Sequence, residues 1–207
     1  TAFKDTAKTE KHKNIYWVGN PVRNIFYNVD KNKAEKKWKV GDLPLVLVLG
    51  GGLGSERINR VCVKITQSIN NRCQIINITG KNKATIINIK NYRQIERLDE
   101  EIAEVMMAAD IVVSRAGLST LGELSVLGKP AILIPLKGVG QDENALYFAN
   151  QDAAVVVNEN MLENLEYQIC DLLDNRQKRS ELSENIKKIF LPNSTQKFLE
   201  IIESFLA

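Results

Sequence analysis

The amino-acid sequence predicts a doubly wound α/β domain, a parallel sheet with helices on both faces. Two observations carry this. Apolar residues come in short unbroken runs, such as "LVLVL" at 45–49 and "DIVVS" at 110–114, where a sheet wetted on one face would alternate apolar with polar. Between the runs, apolar residues recur at helical spacing, as crossover helices joining parallel strands require.

The first strand, 45–49, runs into "GGGLGS" at 50–55, and Ile58, Val61, Cys62, Ile65 and Ile69 then mark an amphipathic helix. "CQIINIT" at 73–79 and "ATIINI" at 84–89 are the next two predicted strands, separated by a turn at "GKNK". Ile102, Val105, Met106 and Ala109 form one helix face before the strand at 110–114. A helix from about Ser119 to Leu127 passes through "GKP" into the strand "AILIP" at 131–135, and a helix around Asn144 to Asn150 precedes a last strand, "AVVV" at 154–157. Beyond Asn158 the chain turns helical, with Leu162, Leu165, Ile169 and Leu172 on one stripe and Leu182, Ile186 and Ile189 on another. Pro192 breaks the pattern, and Asn193 with Gln196 three residues on predicts a capping box opening a final helix that carries Phe198, Ile201, Ile202 and Phe205.

At 207 residues, 44% hydrophobic and 26% charged, the chain suits a soluble globular protein of one large or two small domains. No apolar run approaches the roughly 20 residues that cross a bilayer, and the opening "TAFKDTAKTE" lacks the apolar core of a signal peptide. The chain opens on Thr1, as an excerpt of something longer would. A net charge of +3 is too small to argue for nucleic acid. Lys31, Lys33, Lys36, Lys37 and Lys39 crowd around Trp38, read as a solvated linker with an anionic membrane or phosphate surface as the alternative. Cys62, Cys73 and Cys170 are odd in number and set in apolar runs, which suits buried thiols in a reducing compartment. His12 is the only histidine, so neither a His-based triad nor a His metal cluster can be built from this chain alone.

In such a sheet, ligands gather beyond the carboxyl ends of the strands. The loops there are "GGGLGS", "SRAGLST" and "PLKGVGQDEN". The first could hold a diphosphate on its amides or be only a tight strand-to-helix turn. It lacks the third glycine of G-x-G-x-x-G, and "QIINITG" ends without the acid that holds a dinucleotide ribose, so a nicotinamide dehydrogenase is disfavoured. The second loop has an acid, Glu123. It can accept both hydroxyls of a ribose, with Leu118, Ser119 and Thr120 offering amides and hydroxyls to phosphate. Thr120 and Glu123 equally fit a capping box, with Thr120 as cap.

"VGNPVR" at 18–23, "VLVLGGGLGSERIN" at 46–59, "ADIVVSRAGLSTLGELSVLGKPAILIP" at 109–135 and "QDENA" at 141–145 together resemble the donor half of MurG-type glycosyltransferases, over about residues 15 to 205. The resemblance implies a Rossmann-like doubly wound sheet forming the C-terminal half of a GT-B fold. Residues 1–40 would be interdomain linker and crossover segment, and 41–207 the UDP-sugar-binding domain with its C-terminal helices. The family transfers N-acetylglucosamine from UDP-GlcNAc to lipid I, the undecaprenyl-diphospho-muramoylpentapeptide, giving lipid II of peptidoglycan synthesis. By resemblance Glu123 holds the ribose, while Leu118, Ser119, Thr120, Leu121 and Gly122 line the diphosphate and uridine. Arg23 approaches the phosphates and Gln141 the sugar, with Gly51, Gly52, Leu98, Asp99, Arg115, Gly117 and Asn144 also on the donor side.

No metal and no cofactor are implied beyond UDP-GlcNAc as substrate. Lipid I and the membrane are met through a separate N-terminal domain, at the cytoplasmic face of the cell membrane, and no catalytic residue is expected in this chain. The final helix would pack partly against that domain. The chain departs from the family pattern at Gly52, where a serine is common, at Leu98-Asp99 in place of Phe-Ile, and at Gly140-Gln141 in place of His-Gln. Two alternatives stand beside this reading. One is a GT-B enzyme using another UDP-sugar, a transferase or a UDP-GlcNAc epimerase, and the other is a non-catalytic UDP-sugar-binding subunit.

Overall fold

The computed structural model describes residues 1–9 and 15–206, and His12 lies outside them. The described residues form a six-stranded sheet, parallel at every pairing, in the order β3-β2-β1-β4-β5-β6. The strands are β1 (Leu45–Leu49), β2 (Gln74–Ile78), β3 (Tyr92–Ile95), β4 (Ile111–Ser114), β5 (Ala131–Leu133) and β6 (Val155–Val156). Helices α1 (Lys4–Thr9) and α2 (Lys31–Trp38) precede the sheet. Helices α3 (Glu56–Ile69), α4 (Ile102–Ala108), α5 (Leu118–Leu127) and α6 (Gln141–Asn150) connect its strands, and α7 (Leu165–Asp174), α8 (Arg176–Ile186) and α9 (Ser194–Leu206) follow it. Among the described residues no helix is long and apolar enough to cross a membrane.

The unbroken apolar runs are explained by two cores, one on each face. Leu45, Leu47 and Leu49 of β1 join Val112 and Leu133 in the core under α4, α5 and α6, whereas Val46 and Val48 join Ile111, Val113 and Ile132 in the core under α3 and α7. The predicted stripes Leu162, Leu165, Ile169, Leu172 and Leu182, Ile186, Ile189 are buried, as are the thiols of Cys62 and Cys73, which burial pushes up to about 12.

Four local expectations are corrected. "ATIINI" is not a strand: residues 84–89 run irregularly and Ile86 is wholly exposed. The edge position goes to Tyr92–Ile95, whose Tyr92 hydroxyl accepts from Asn77 Nδ2 at 3.1 Å, so that this fully buried NH2 has an acceptor on β3 as well as Asn59 Oδ1 at 3.2 Å. The lysine-rich stretch is not an irregular segment but helix α2, capped by Asp30, which accepts from Lys33 N at 3.0 Å; its lysines stay exposed, its buried Ala34 faces the core and α2 packs on α4. Asn193 is left-handed (φ 63°), and Gln196 donates to Glu200 instead of reaching back, so α9 opens without a capping box. Helix α6 begins at Gln141, three residues ahead of Asn144. Phe198, Ile202 and Phe205 of α9 are exposed, and Ile201 is half-buried.

Lys129, from "GKP", is buried and donates to the carbonyls of Met107 (2.5 Å) and Ala109 (2.9 Å) at the end of α4. Burial is the main cause pushing its pKa down to about 8. A neutral amine still has two hydrogens for two carbonyls, so deprotonation keeps both bonds and removes the desolvation penalty. Between pH 8 and the unfolded value near 10.5 the unfolded chain therefore binds more protons than the folded one, and stability rises with pH over that window. Lys129→Met should lose both donors and abolish this pH slope, so that in urea denaturation its cost relative to the parent is larger near pH 10 than at pH 7, where losing the buried charge offsets part of it.

Candidate functional site

Strand order reverses at β1 and β4, and the crevice beyond their carboxyl ends is walled by the loops 50–55 and 115–117. In the first loop Gly51 (φ 91°) and Gly54 (φ 73°) are left-handed, and Gly54 N donates to Gly51 O at 2.9 Å. Gly54 lies so close to the end of β2 that a Cβ would sit 2.0 Å from Thr79 O. Ser55 caps α3, accepting from Ile58 N at 3.4 Å. Gly52 is exposed, and a Cβ there would meet nothing within 4 Å.

The second loop ends differently. Gly117 is the N-cap of α5 and supplies no side-chain acceptor. The first intrahelical bond there is Leu121 N to Gly117 O at 3.0 Å, so the amides of Leu118, Ser119 and Thr120 precede it at the positive end of the helix dipole. Leu118 and Ser119 are exposed and Thr120 half-buried, whereas the Leu121 side chain is wholly in the core. This start also removes the capping-box alternative. With Gly117 as cap, Glu123 is the sixth helical residue, beyond reach of the cap amide.

Glu123 instead meets the segment 18–23. Asn20 Nδ2 donates to Leu118 O at 2.7 Å, and Gly122 receives Asn20 and Val22 so tightly that a Cβ would lie 2.5 Å from Asn20 Nδ2. That seating brings Arg23 Nη2 to 3.1 Å from Glu123 Oε1, pairing a 55% exposed guanidinium with a 13% exposed carboxylate. Burial pushes the Glu123 carboxyl above its usual range, and the bond to Arg23 and its charge draw it partly back.

The remaining predicted residues divide. Arg115 reaches Ile134 O, Ser55 Oγ and Glu159 Oε1 from a largely buried position. Asn144 Nδ2 donates to Ala116 O at 3.0 Å, tying α6 to the second loop. Gln141 opens α6 after a left-handed Gly140; its Oε1 accepts from Leu136 N at 3.0 Å. Leu98 packs half-buried against the core before α4, and the exposed Asp99 pairs with Arg97 at 2.7 Å. Among the described residues no three of His, Cys, Asp and Glu are grouped to hold a metal ion. Two contributors escaped the sequence reading. Asn20 lies inside "VGNPVR", while Glu159 carries no motif and comes to Arg115 only through the path of the chain after β6.

Residues 45–203 match the glycosyltransferase family 28 C-terminal domain. The chain is 34% identical over 226 residues to the UDP-N-acetylglucosamine–N-acetylmuramyl-(pentapeptide) pyrophosphoryl-undecaprenol N-acetylglucosamine transferase of Acetivibrio thermocellus, which covers 99% of this chain and 60% of that protein. It is 34% identical over 201 residues to the protein of the same name from Flavobacterium psychrophilum, covering 89% and 53%. This chain thus spans a little over half the length of these curated relatives. Among solved structures it is similar to Acinetobacter baumannii MurG, with a TM-score of 0.70 and 21% identity over 93% of this chain and 58% of that one. A UDP-GlcNAc 2-epimerase from Neisseria meningitidis bound to UDP-GlcNAc gives a TM-score of 0.58 at 15% identity, covering 84% and 48%.

Proposed function

The chain belongs to glycosyltransferase family 28, whose C-terminal domain it carries, and from that membership we propose that it is the UDP-GlcNAc-binding half of the transferase that converts lipid I to lipid II. One observation carries the reading. At the sheet's switch point a largely buried carboxylate, Glu123, and the uncapped amides of Leu118, Ser119 and Thr120 stand within two turns of the same helix. A ribose diol and a diphosphate ask for that pairing of acceptor and donors.

In the proposed reaction an acceptor hydroxyl oxygen attacks the anomeric carbon of GlcNAc, the bond from that carbon to the UDP oxygen breaks, and the configuration inverts. Charge collects on the departing diphosphate, where the α5 amides and Arg23, released from Glu123, stabilise it. Gln141 Nε2 remains to donate to the sugar while its oxygen holds the loop. The group that takes the acceptor's proton, the lipid I site and the contact with the cytoplasmic face of the membrane would belong to the part of the longer relatives outside this chain.

Neutralisation by amides and Arg23 needs no divalent ion. Calorimetric titration should therefore give equal affinity for UDP-GlcNAc in magnesium and in chelator, with UDP-glucose weaker and GDP- and ADP-sugars weaker still. Binding abolished by chelator and restored by magnesium would overturn the metal-independent mechanism, and equal binding of every nucleotide would overturn the uridine site. A site that prefers another UDP-sugar is the second reading, favoured by Gly140, which puts no side chain beside Gln141.

A further inference from the structure

Arg115 follows β4 and stands between the two loops of the candidate site, yet its side chain is only 11% exposed. Its Nη1 donates to Ile134 O at 3.2 Å, past the end of β5, and its Nη2 to Ser55 Oγ at 3.3 Å, the cap of α3. The same Nη2 donates to Glu159 Oε1 at 2.5 Å, beyond β6. Its stem backs the first loop, since a Cβ on Gly51 would lie 3.4 Å from Arg115 Cγ. One rigid guanidinium thus ties together the chain leaving β1, β4, β5 and β6.

We propose that Arg115, held by Glu159, is a positioning residue that fixes the glycine loop 50–55 against the start of α5 so that both face one diphosphate, without itself touching the phosphates. This rests on the donor-site reading above. Two facts favour positioning over contact. The charge of Arg115 is already matched by a carboxylate that is itself only 16% exposed, so little field remains for a ligand. Its planar fork is engaged with three acceptors in three different segments.

The two roles predict opposite signs. If Arg115 met phosphate directly, removing Glu159 would free its charge and tighten UDP binding, and lysine, which keeps the charge, would nearly replace it. If Arg115 positions the loop, losing either the fork or its anchor loosens the diphosphate site. The test is calorimetry of UDP and competition by uridine on the full chain, for Arg115→Lys, Glu159→Ala and the double variant, with circular dichroism confirming the fold. Each single variant should bind UDP about tenfold more weakly, the double no worse than the weaker single, and uridine within twofold of the parent.

A Glu159→Ala protein that binds UDP as well as the parent or better, or an Arg115→Lys protein equal to the parent, sinks the proposal. UDP and uridine falling in parallel would also sink it, since that marks general loosening. If Glu159→Ala does not fold, Arg115→Lys alone decides. A parent chain that binds no UDP would overturn the donor-site reading itself, an outcome distinct from all of these.

Discussion

Glu123→Gln leaves the protein folded and weakens UDP binding by about one to two orders of magnitude. The fold survives because the bond to Arg23 joins a largely exposed partner, worth no more than about 1 kcal/mol, and burial already disfavours the charge that glutamine removes. Binding suffers because a carboxylate accepts from both ribose hydroxyls, whereas an amide accepts from one and turns an NH2 toward the other. A charged hydrogen bond contributes roughly 1.5–3 kcal/mol, and each 1.4 kcal/mol is tenfold in affinity. The pH dependence carries the same sign: as pH falls into the raised range of Glu123, the carboxyl gains a proton and loses acceptors, so parent affinity for UDP-GlcNAc declines. The glutamine variant should be flat over that range. Equal UDP affinity in the two proteins would leave Glu123 as no more than the partner of Arg23.

Gly54→Ala should be the most disruptive small change in the site. Its φ of 73° is costly for any residue with a Cβ, and that Cβ would lie 2.0 Å from Thr79 O and 2.7 Å from Gly80 Cα, backbone that cannot rotate aside. Strain and forced displacement together should cost about 3–5 kcal/mol in urea denaturation. UDP binding should fall with it, because relief requires the first loop to lift from the end of β2. Gly52→Ala is the control: nothing stands within 4 Å of its Cβ, and stability should stay within about 0.5 kcal/mol. Equal stabilities for the two variants would mean that the loop is not held against Thr79.

The inner strands were legible because burial on both faces leaves a plain signature: Leu45 to Leu49 and Ile111 to Val113 need apolar side chains at every position. The edge was not. "ATIINI" is more apolar than "YRQI", but the strand that forms is the one whose tyrosine hydroxyl meets the buried Asn77, a pairing that exists only once β2 and β3 lie side by side. Helix α2 hid behind its charges; its Asp30 cap was available as a signal, while its docking on α4 was not. At the candidate site, residue types and spacing left Glu123 equally a helix-cap partner and a ribose acceptor, and only the family resemblance favoured the second; the start of α5 at Gly117 is what removes the cap. Hydrogen-bond direction was invisible, so nothing in the sequence distinguished Arg23, facing solvent, from Arg115, closed in by Glu159.

The seating of Asn20 and Val22 over Gly122 bears on how quickly a nucleotide could come and go. With the Asn20 amide on Leu118 O and no room for even a methyl group beneath it, the backbone of this segment cannot rise without breaking its own packing. What stands before Glu123 is then one half-exposed side chain, Arg23, turning about its own bonds. Such turns take nanoseconds or less, whereas loop opening extends to microseconds. If Glu123 takes a ribose as proposed, passage to it would then depend on diffusion and on the exchange of one ionic partner for another, with the segment 18–23 staying in its seat.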